Sequence, residues 1–284
     1  MQAAPENTIF ITFANRENEG MKIMLENAKT QGIFVNIINN DKFKDYHVLR
    51  QKNYATIDYL KNEADTQYKF VIFFDAFDTL FLRTKNEILK QFNDFYDGRI
   101  VLLPDYQYVM YPNDKTNVHS EFKMINFQRK FNGGRYRAMC MNSGFFAGER
   151  NNIIETWQQT WKNWDDIVRG EKNELGFPFD YYHQLMQTHP DWNWKDDDQL
   201  ALNFQRFLNP ENFKVDYEKE LVTVFGAGID FERDRRKLSE RRKPTELNPL
   251  FSSGCIGDAA IIHMAGTAAG AQMKIAYRNA LVKV

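Results

Sequence analysis

The chain has 284 residues, room for one large domain or two small ones and for a sizeable core. Its 37 basic and 38 acidic side chains nearly cancel, so bulk charge argues neither for nor against a polyanionic partner. Aromatics make up 15% of the residues and no apolar run approaches bilayer length, which excludes a disordered chain and a transmembrane span.

In chain order, Thr8 to Ala14 (TIFITFA) reads as a short buried strand. Glu19 to Gln31 has helical periodicity through Met21, Met24, Leu25 and Ala28, with Gly32 as its C-terminal stop. Ile33 to Ile38 is a second strand, and a polar segment carries a helix around Ala55 to Ala64. Lys69 to Leu82, KFVIFFDAFDTLFL, is the most informative stretch: an apolar strand buried on both faces ends abruptly at Asp75, and Asp78 follows. Glu87 to Phe95 is a helix and Arg99 to Leu103 a strand, so strands and helices alternate through the first hundred residues and predict a Rossmann-like parallel sheet. Asp105 to Arg137 is polar and turn-rich and reads as loops.

Met141 to Gly148 (MNSGFFAG) is a further strand, and Asn151 to Arg169 a helix with Trp157, Trp161, Trp164 and Val168 on one stripe. At helical spacing such a stripe is read as core rather than as a ligand platform. Asp196-Asp197-Asp198-Gln199-Leu200 opens a helix, with more acid than a single N-cap needs. Glu220 to Phe225 and Ala259 to Met264 read as late strands. Between them, Arg233 to Lys243 carries seven basic residues. Its plain reading is a solvated face; the sharper one is a surface for a phosphate-bearing partner, nucleic acid included, though no aromatics interleave the charges. With no repeat or low-complexity linker, the expectation is one domain over 1–284, with a nucleotide-binding half (1–105) and a sugar and acceptor half (106–284). MQAAPENTIF lacks the pattern of a signal peptide, and Cys140 and Cys255 have no metal-type spacing; a cytoplasmic protein without membrane contact is expected.

Four segments concentrate chemistry: Asp75 with Asp78; Asn142-Ser143-Gly144; Asp197 with Asp198; and His263, which ends an apolar strand. Carboxylates at the carboxyl edge of a buried strand are costly without a compensating charge, and a divalent cation is the usual one. Carboxylates with one imidazole suit Mn2+, or Mg2+ where oxygen dominates. Such a cation would neutralise a departing diphosphate, which fits sugar transfer from a nucleotide donor.

The order FFDAFDTLF, MNSGFFAG, DDDQL, IIHMAG resembles the glycosyltransferase domain of the procollagen-lysine hydroxylase/glycosyltransferase family and its viral and bacterial stand-alone relatives. ITFANRENEG extends the resemblance to the N-terminal strand and turn. The resemblance implies a GT-A-type Rossmann-like mixed α/β sheet flanked by helices, a UDP-sugar donor and Mn2+. It implies Asp75, Asp78 and His263 as metal ligands, and Phe77 where the family stacks a tyrosine on uracil. Thr12 and Ala14 match the strand end that touches the uridine, and Gly266 a glycine beside a phosphate. Asp197 and Asp198 match acidic residues beside the transferred sugar, Asn142 lies in the matching sugar-side segment, and Tyr111 falls where the family has a tryptophan near the acceptor. The family's lysine after the His-x-x-Gly segment has no match at the same spacing, since Lys274 lies later, and NSGFF replaces a doubled glycine.

The expected partners are UDP-glucose or UDP-galactose and a hydroxyl-bearing protein or glycan acceptor, hydroxylysine of collagen-like protein among them; a homodimer is left open. Two alternatives stand beside this reading. Asp75 also fits the nucleophile of a haloacid-dehalogenase-like phosphohydrolase, with Gly257-Asp258 as its late acidic motif, although a full β-α-β-α unit precedes it here. The other alternative is a UDP-sugar-binding module without catalysis.

Overall fold

Alternating side chains along the central strands face two separate cores. The computed structural model describes residues 7–39, 41–105, 140–170, 187, 194–216, 220–224 and 259–263. The strands are β1 (Thr8–Phe13), β2 (Val35–Ile38), β3 (Phe70–Phe74), β4 (Thr79–Phe81), β5 (Ile100–Asp105), β6 (Cys140–Glu149), β7 (Phe213–Val215), β8 (Val222–Val224) and β9 (Ile261–His263). The helices are α1 (Glu19–Thr30), α2 (Val48–Asn62), α3 (Lys85–Phe95), α4 (Arg150–Val168) and α5 (Asp198–Leu208). Ile9, Ile11, Val71, Phe73 and Phe146 pack in one core with residues of α2, α4 and α5. Phe10, Ile72, Phe74 and Phe145 pack in the other with α1, α3 and β4. This period-2 division is what a sheet covered on both faces requires.

The main sheet runs β2-β1-β3-β6-β5-β7, and β4-β9-β8 form a second, three-stranded sheet. β2, β1 and β3 are parallel, as the alternation predicts, but β6 lies antiparallel between β3 and β5. The sheet is therefore the expected mixed α/β one, flanked by helices. Phe73 and Phe146, partners across β3 and β6, stack with ring centroids 4.5 Å apart. Trp157, Trp161 and Trp164 are all buried, so the tryptophan stripe of α4 is core.

Helix ends follow local chemistry. Gly32 (φ 72°) follows α1, and the amide of Ile33 donates to Ala28 O while that of Gly32 donates to Lys29 O. α3 starts at a reciprocal capping box of Thr84 and Glu87. α2 begins seven residues before the helix expected around Ala55, with His47 as its N-cap.

Two buried asparagines hold short strands in place. Asn27 of α1 accepts from Phe81 N (2.6 Å) and donates to Phe81 O (3.1 Å), serving both backbone groups of one β4 residue. Asn203 of α5 does the same for Met141 of β6, accepting at 2.7 Å and donating at 3.0 Å. Each therefore fixes a short strand segment: Met141 adjoins Asn142, and Phe81 ends the strand that Asp78 precedes. Asn27→Leu should lower unfolding stability by about 2–4 kcal/mol, because two buried backbone groups lose their partners. Urea unfolding of the variant checks this, and a loss under about 0.5 kcal/mol would contradict it.

Candidate functional site

The second sheet brings distant residues together. β4 and β9 pair antiparallel with Thr79 opposite His263, so the imidazole comes down beside Asp78, the residue before β4. Asp75 leaves β3 on the other side of the same short loop. Its amide continues the β3-β6 ladder by donating to Gly144 O at 2.8 Å. One ligand atom each of Asp75, Asp78 and His263 lies within 4.8 Å of the others.

Gly144 has to be a glycine here. A Cβ at that position would sit 2.6 Å from His263 Cε1, 2.7 Å from Asp75 Oδ2 and 2.8 Å from Asn142 Oδ1. The β5-β6 register shifts at this place: Leu102 faces Phe146 while Leu103 faces Asn142. Such a bulge re-aims side chains beside a site. Asn142 Oδ1 accepts from Gly144 N at 2.7 Å, which holds the Asn142 carboxamide against the same backbone.

Lys52, which sequence reasoning missed, ties the two acidic groups together. It lies on α2 with a side chain only 7% exposed, and its Nζ stands 3.3 Å from Asp75 Oδ1 and 2.7 Å from Asp198 Oδ2. Asn53 Nδ2 adds a 3.3 Å hydrogen bond to the same Asp198 oxygen. Burial disfavours the Lys52 charge, but the attraction of Asp198 and then Asp75 outweighs it and holds the ammonium above the ordinary lysine range. Burial likewise pushes Asp75 up, and Lys52 followed by His263 outweighs it, leaving the Asp75 carboxyl below its usual value. For Asp78 burial prevails: its carboxyl is pushed up to about 6, with His263 opposing and Asp75 adding to the rise.

The acidic triplet divides among three partners. Asp196 meets Arg50 at 3.4 Å, Asp197 caps α5 by accepting from Leu200 N at 2.9 Å, and Asp198 takes Lys52. Thr12 is fully buried and donates to Phe74 O at 2.6 Å; Ala14 is buried, and its amide donates to Ile38 O. Phe77 is half-buried at the edge of the second core. Gly266, Tyr111, Lys274, Cys255, Gly257-Asp258 and the basic run Arg233 to Lys243 lie outside the described residues. No helix among the described residues is long and apolar enough to cross a membrane.

The residues present fit a divalent cation. His263 Nδ1 and Asp78 Oδ1 are buried 3.3 Å apart, yet neither has a hydrogen-bond partner among the described residues. Two buried polar atoms left without hydrogen-bond partners are costly unless a further group lies between or beside them. Two carboxylates and one imidazole form a donor set suited to Mn2+.

An acidic cluster at the carboxyl edge of a mixed sheet is the kind of place where α/β enzymes bind their ligands. The family model "PLOD GT domain" matches residues 4–167, more than half of the sequence, and the chain belongs to this glycosyltransferase family. A multifunctional procollagen lysine hydroxylase and glycosyltransferase of Caenorhabditis elegans is 23% identical over 236 residues. That match covers 78% of this chain but 30% of the relative, so the chain spans about a third of that protein's length. Among solved structures, a glycosyltransferase involved in the glycosylation of the major capsid of PBCV-1 has a TM-score of 0.45 and 10% identity, over 94% of this chain and 98% of that one. Mouse xyloside xylosyltransferase 1, in its apo form, has a TM-score of 0.44 and 11% identity, over 90% and 97%.

Lys52→Met keeps most of the stem volume and removes the charge, leaving Asp198 and Asp75 without their shared partner. It should cost about 3–5 kcal/mol of stability by denaturant unfolding. A cost below about 1 kcal/mol would show that the bridge contributes little.

Proposed function

We propose that the chain is a GT-A-type, metal-dependent glycosyltransferase that moves a hexose, glucose or galactose, from a UDP-sugar to a hydroxyl acceptor. The observation that carries this reading is the convergence of Asp75, Asp78 and His263 around Gly144, next to the Lys52–Asp198 pair. Family membership supports the transfer class, and it decides against the phosphohydrolase reading of Asp75. Asp75, Asp78 and His263 would hold Mn2+ or Mg2+, which when bound supplies positive charge to the departing diphosphate.

The remaining roles belong to side chains. Lys52 fixes one oxygen of Asp75 and leaves Oδ2 directed toward Gly144 and His263, as an outer group orients a ligand. Asp198, held by Lys52 and Asn53, would accept a hydrogen bond from a sugar hydroxyl. Asp197 positions Asp198 by capping α5 rather than reaching the sugar itself. Asn142, held by the Gly144 amide, lies on the Asp75 and His263 side of Gly144. The acceptor is proposed to be a protein or glycan hydroxyl, with hydroxylysine of a collagen-like protein as the first to test, on the strength of the family and of the relative's printed name.

The test is UDP release across a panel of UDP-sugars with Mn2+. Wild type should turn over one hexose donor, and Asp78→Ala should lose metal-dependent release by at least about a hundredfold. Full activity in Asp78→Ala would remove the metal assignment, and UDP binding without any turnover would leave a binding module. In the same assay His263→Ala should need more Mn2+ for half-maximal activity, by about ten- to a hundredfold, while far-UV dichroism stays unchanged. An unaltered Mn2+ requirement would take His263 out of the site.

A further inference from the structure

Arg50, in the first turn of α2, carries a charge that the Lys52 bridge does not involve. Its side chain is 12% exposed, and each nitrogen of the guanidinium has an acceptor. Nε donates to Tyr54 Oη at 3.1 Å. Nη2 donates to the same oxygen at 2.8 Å and to the two Asp165 oxygens at 2.8 and 2.7 Å. Nη1 reaches elsewhere, to Asp196 Oδ1 at 3.4 Å. Rings crowd the group as well, its carbon lying 4.6 Å from the Trp161 centroid and 5.3 Å from that of Tyr54. A guanidinium so far out of water is tolerated because its donors are matched.

Most of these contacts only join two helices. Tyr54 belongs to α2 itself, and Trp161 and Asp165 lie one turn apart on the same face of α4. The Asp196 arm differs. It leaves the helix pair for the 3-10 turn Trp194–Asp196, which runs straight into the Asp197 cap and Asp198. α4 grips that turn a second time through Trp164 Nε1, which donates to Lys195 O at 2.9 Å. Lys52 and Asn53, the residues that hold Asp198, follow Arg50 on α2.

The turn needs such anchoring because Asp196, Asp197 and Asp198 are adjacent carboxylates that repel one another. Pulls in different directions oppose that repulsion. Arg50 draws Asp196 toward α4, and Lys52 draws Asp198 toward Asp75.

We propose that Arg50 is a positioning residue for sugar transfer, setting through Asp196 the place of Asp198 against the donor sugar. Its effect passes along the turn and not through contact with the donor. Arginine suits the task because its planar fork serves Tyr54, Asp165 and Asp196 together, whereas a lysine ammonium is a single point charge. The inference rests on the transferase reading for the role of Asp198, and on the Arg50 contacts for the link to it.

UDP release from the hexose donor and calorimetric binding of UDP, both with Mn2+, test it on the full chain. Asp196→Ala cuts the arm to the turn and leaves Arg50 its Tyr54 and Asp165 contacts, so the α2–α4 packing is spared. It should lower kcat by about ten- to a hundredfold and leave the Kd of UDP, which lacks the sugar, within about twofold. Arg50→Lys should show the same split. In an Asp198→Asn background Asp196→Ala should have almost no further effect on kcat, because the two act in series. Full kcat in Asp196→Ala or Arg50→Lys, or additive losses in the double variant, would overturn the role. Parallel loss of kcat and UDP binding would make the contact a matter of folding alone and overturn it as well. A wild type that turns over no donor sinks the transferase reading and this role with it. An active wild type matched by Asp196→Ala leaves that reading standing and removes only the role of Arg50.

Discussion

The antiparallel pairing of β4 with β9 is the constraint on which the site depends. It is short, yet its register places Thr79 opposite His263 and so brings an imidazole to the carboxylates that end β3. A three-residue strand contributes few backbone hydrogen bonds of its own, and its position needs outside support. Asn27 gives that support from α1, and Leu82 N continues the pairing by donating to Ala260 O at 2.7 Å. β8 holds the other edge of β9, and the buried carboxylate of Asp216 accepts from the amides of Glu220, Leu221 and Val222 where that strand begins. The Asp75, Asp78 and His263 cluster is thus supported from outside by buried groups that hold the backbone of β4, β8 and β9.

Charge balance is the second constraint. Asp198 is almost wholly buried, and Asp75 and Asp78 are only partly open. Burial alone would neutralise such groups. Lys52 answers Asp198 and one oxygen of Asp75 from a single buried ammonium, leaving Asp78 and the other Asp75 oxygen to be balanced from elsewhere. The Asp78 carboxyl is raised chiefly by its own burial, and among the described residues its Oδ1 lacks a hydrogen bond. The buried acidic groups that Lys52 does not reach therefore meet at one place, bounded by Asp75, Asp78 and His263.

Much of this was legible in the sequence, for physical reasons particular to each element. The apolar run ending at Asp75 could only be a strand buried on both faces, and β3 has that environment. The tryptophans of α4 followed helical spacing and are core. β4 escaped notice because Thr79-Leu80-Phe81 is only three residues long and follows β3 after Asp75 to Asp78, which read as the site rather than as a turn between two strands. The antiparallel course of β6 was not readable, since alternation of strands and helices fixes order but not the insertion of one strand between two others. Lys52 could not be recognised because its importance lies in two carboxylates far away in the chain, and nothing in Arg50-Gln-Lys-Asn marks it. The acidic triplet exceeds what one cap needs, and the contacts on the page give its members different partners: Arg50, the α5 amide of Leu200 and Lys52.

We propose that a divalent cation sits among Asp75, Asp78 and His263, between β3 and β9. Crystals grown with Mn2+ and UDP, measured at the manganese absorption edge, test it most directly. One anomalous peak is expected within coordination distance of Asp75, Asp78 and His263. A peak elsewhere on the chain, or His263 Nδ1 hydrogen-bonded to Asp78 with no metal between β3 and β9, would contradict it.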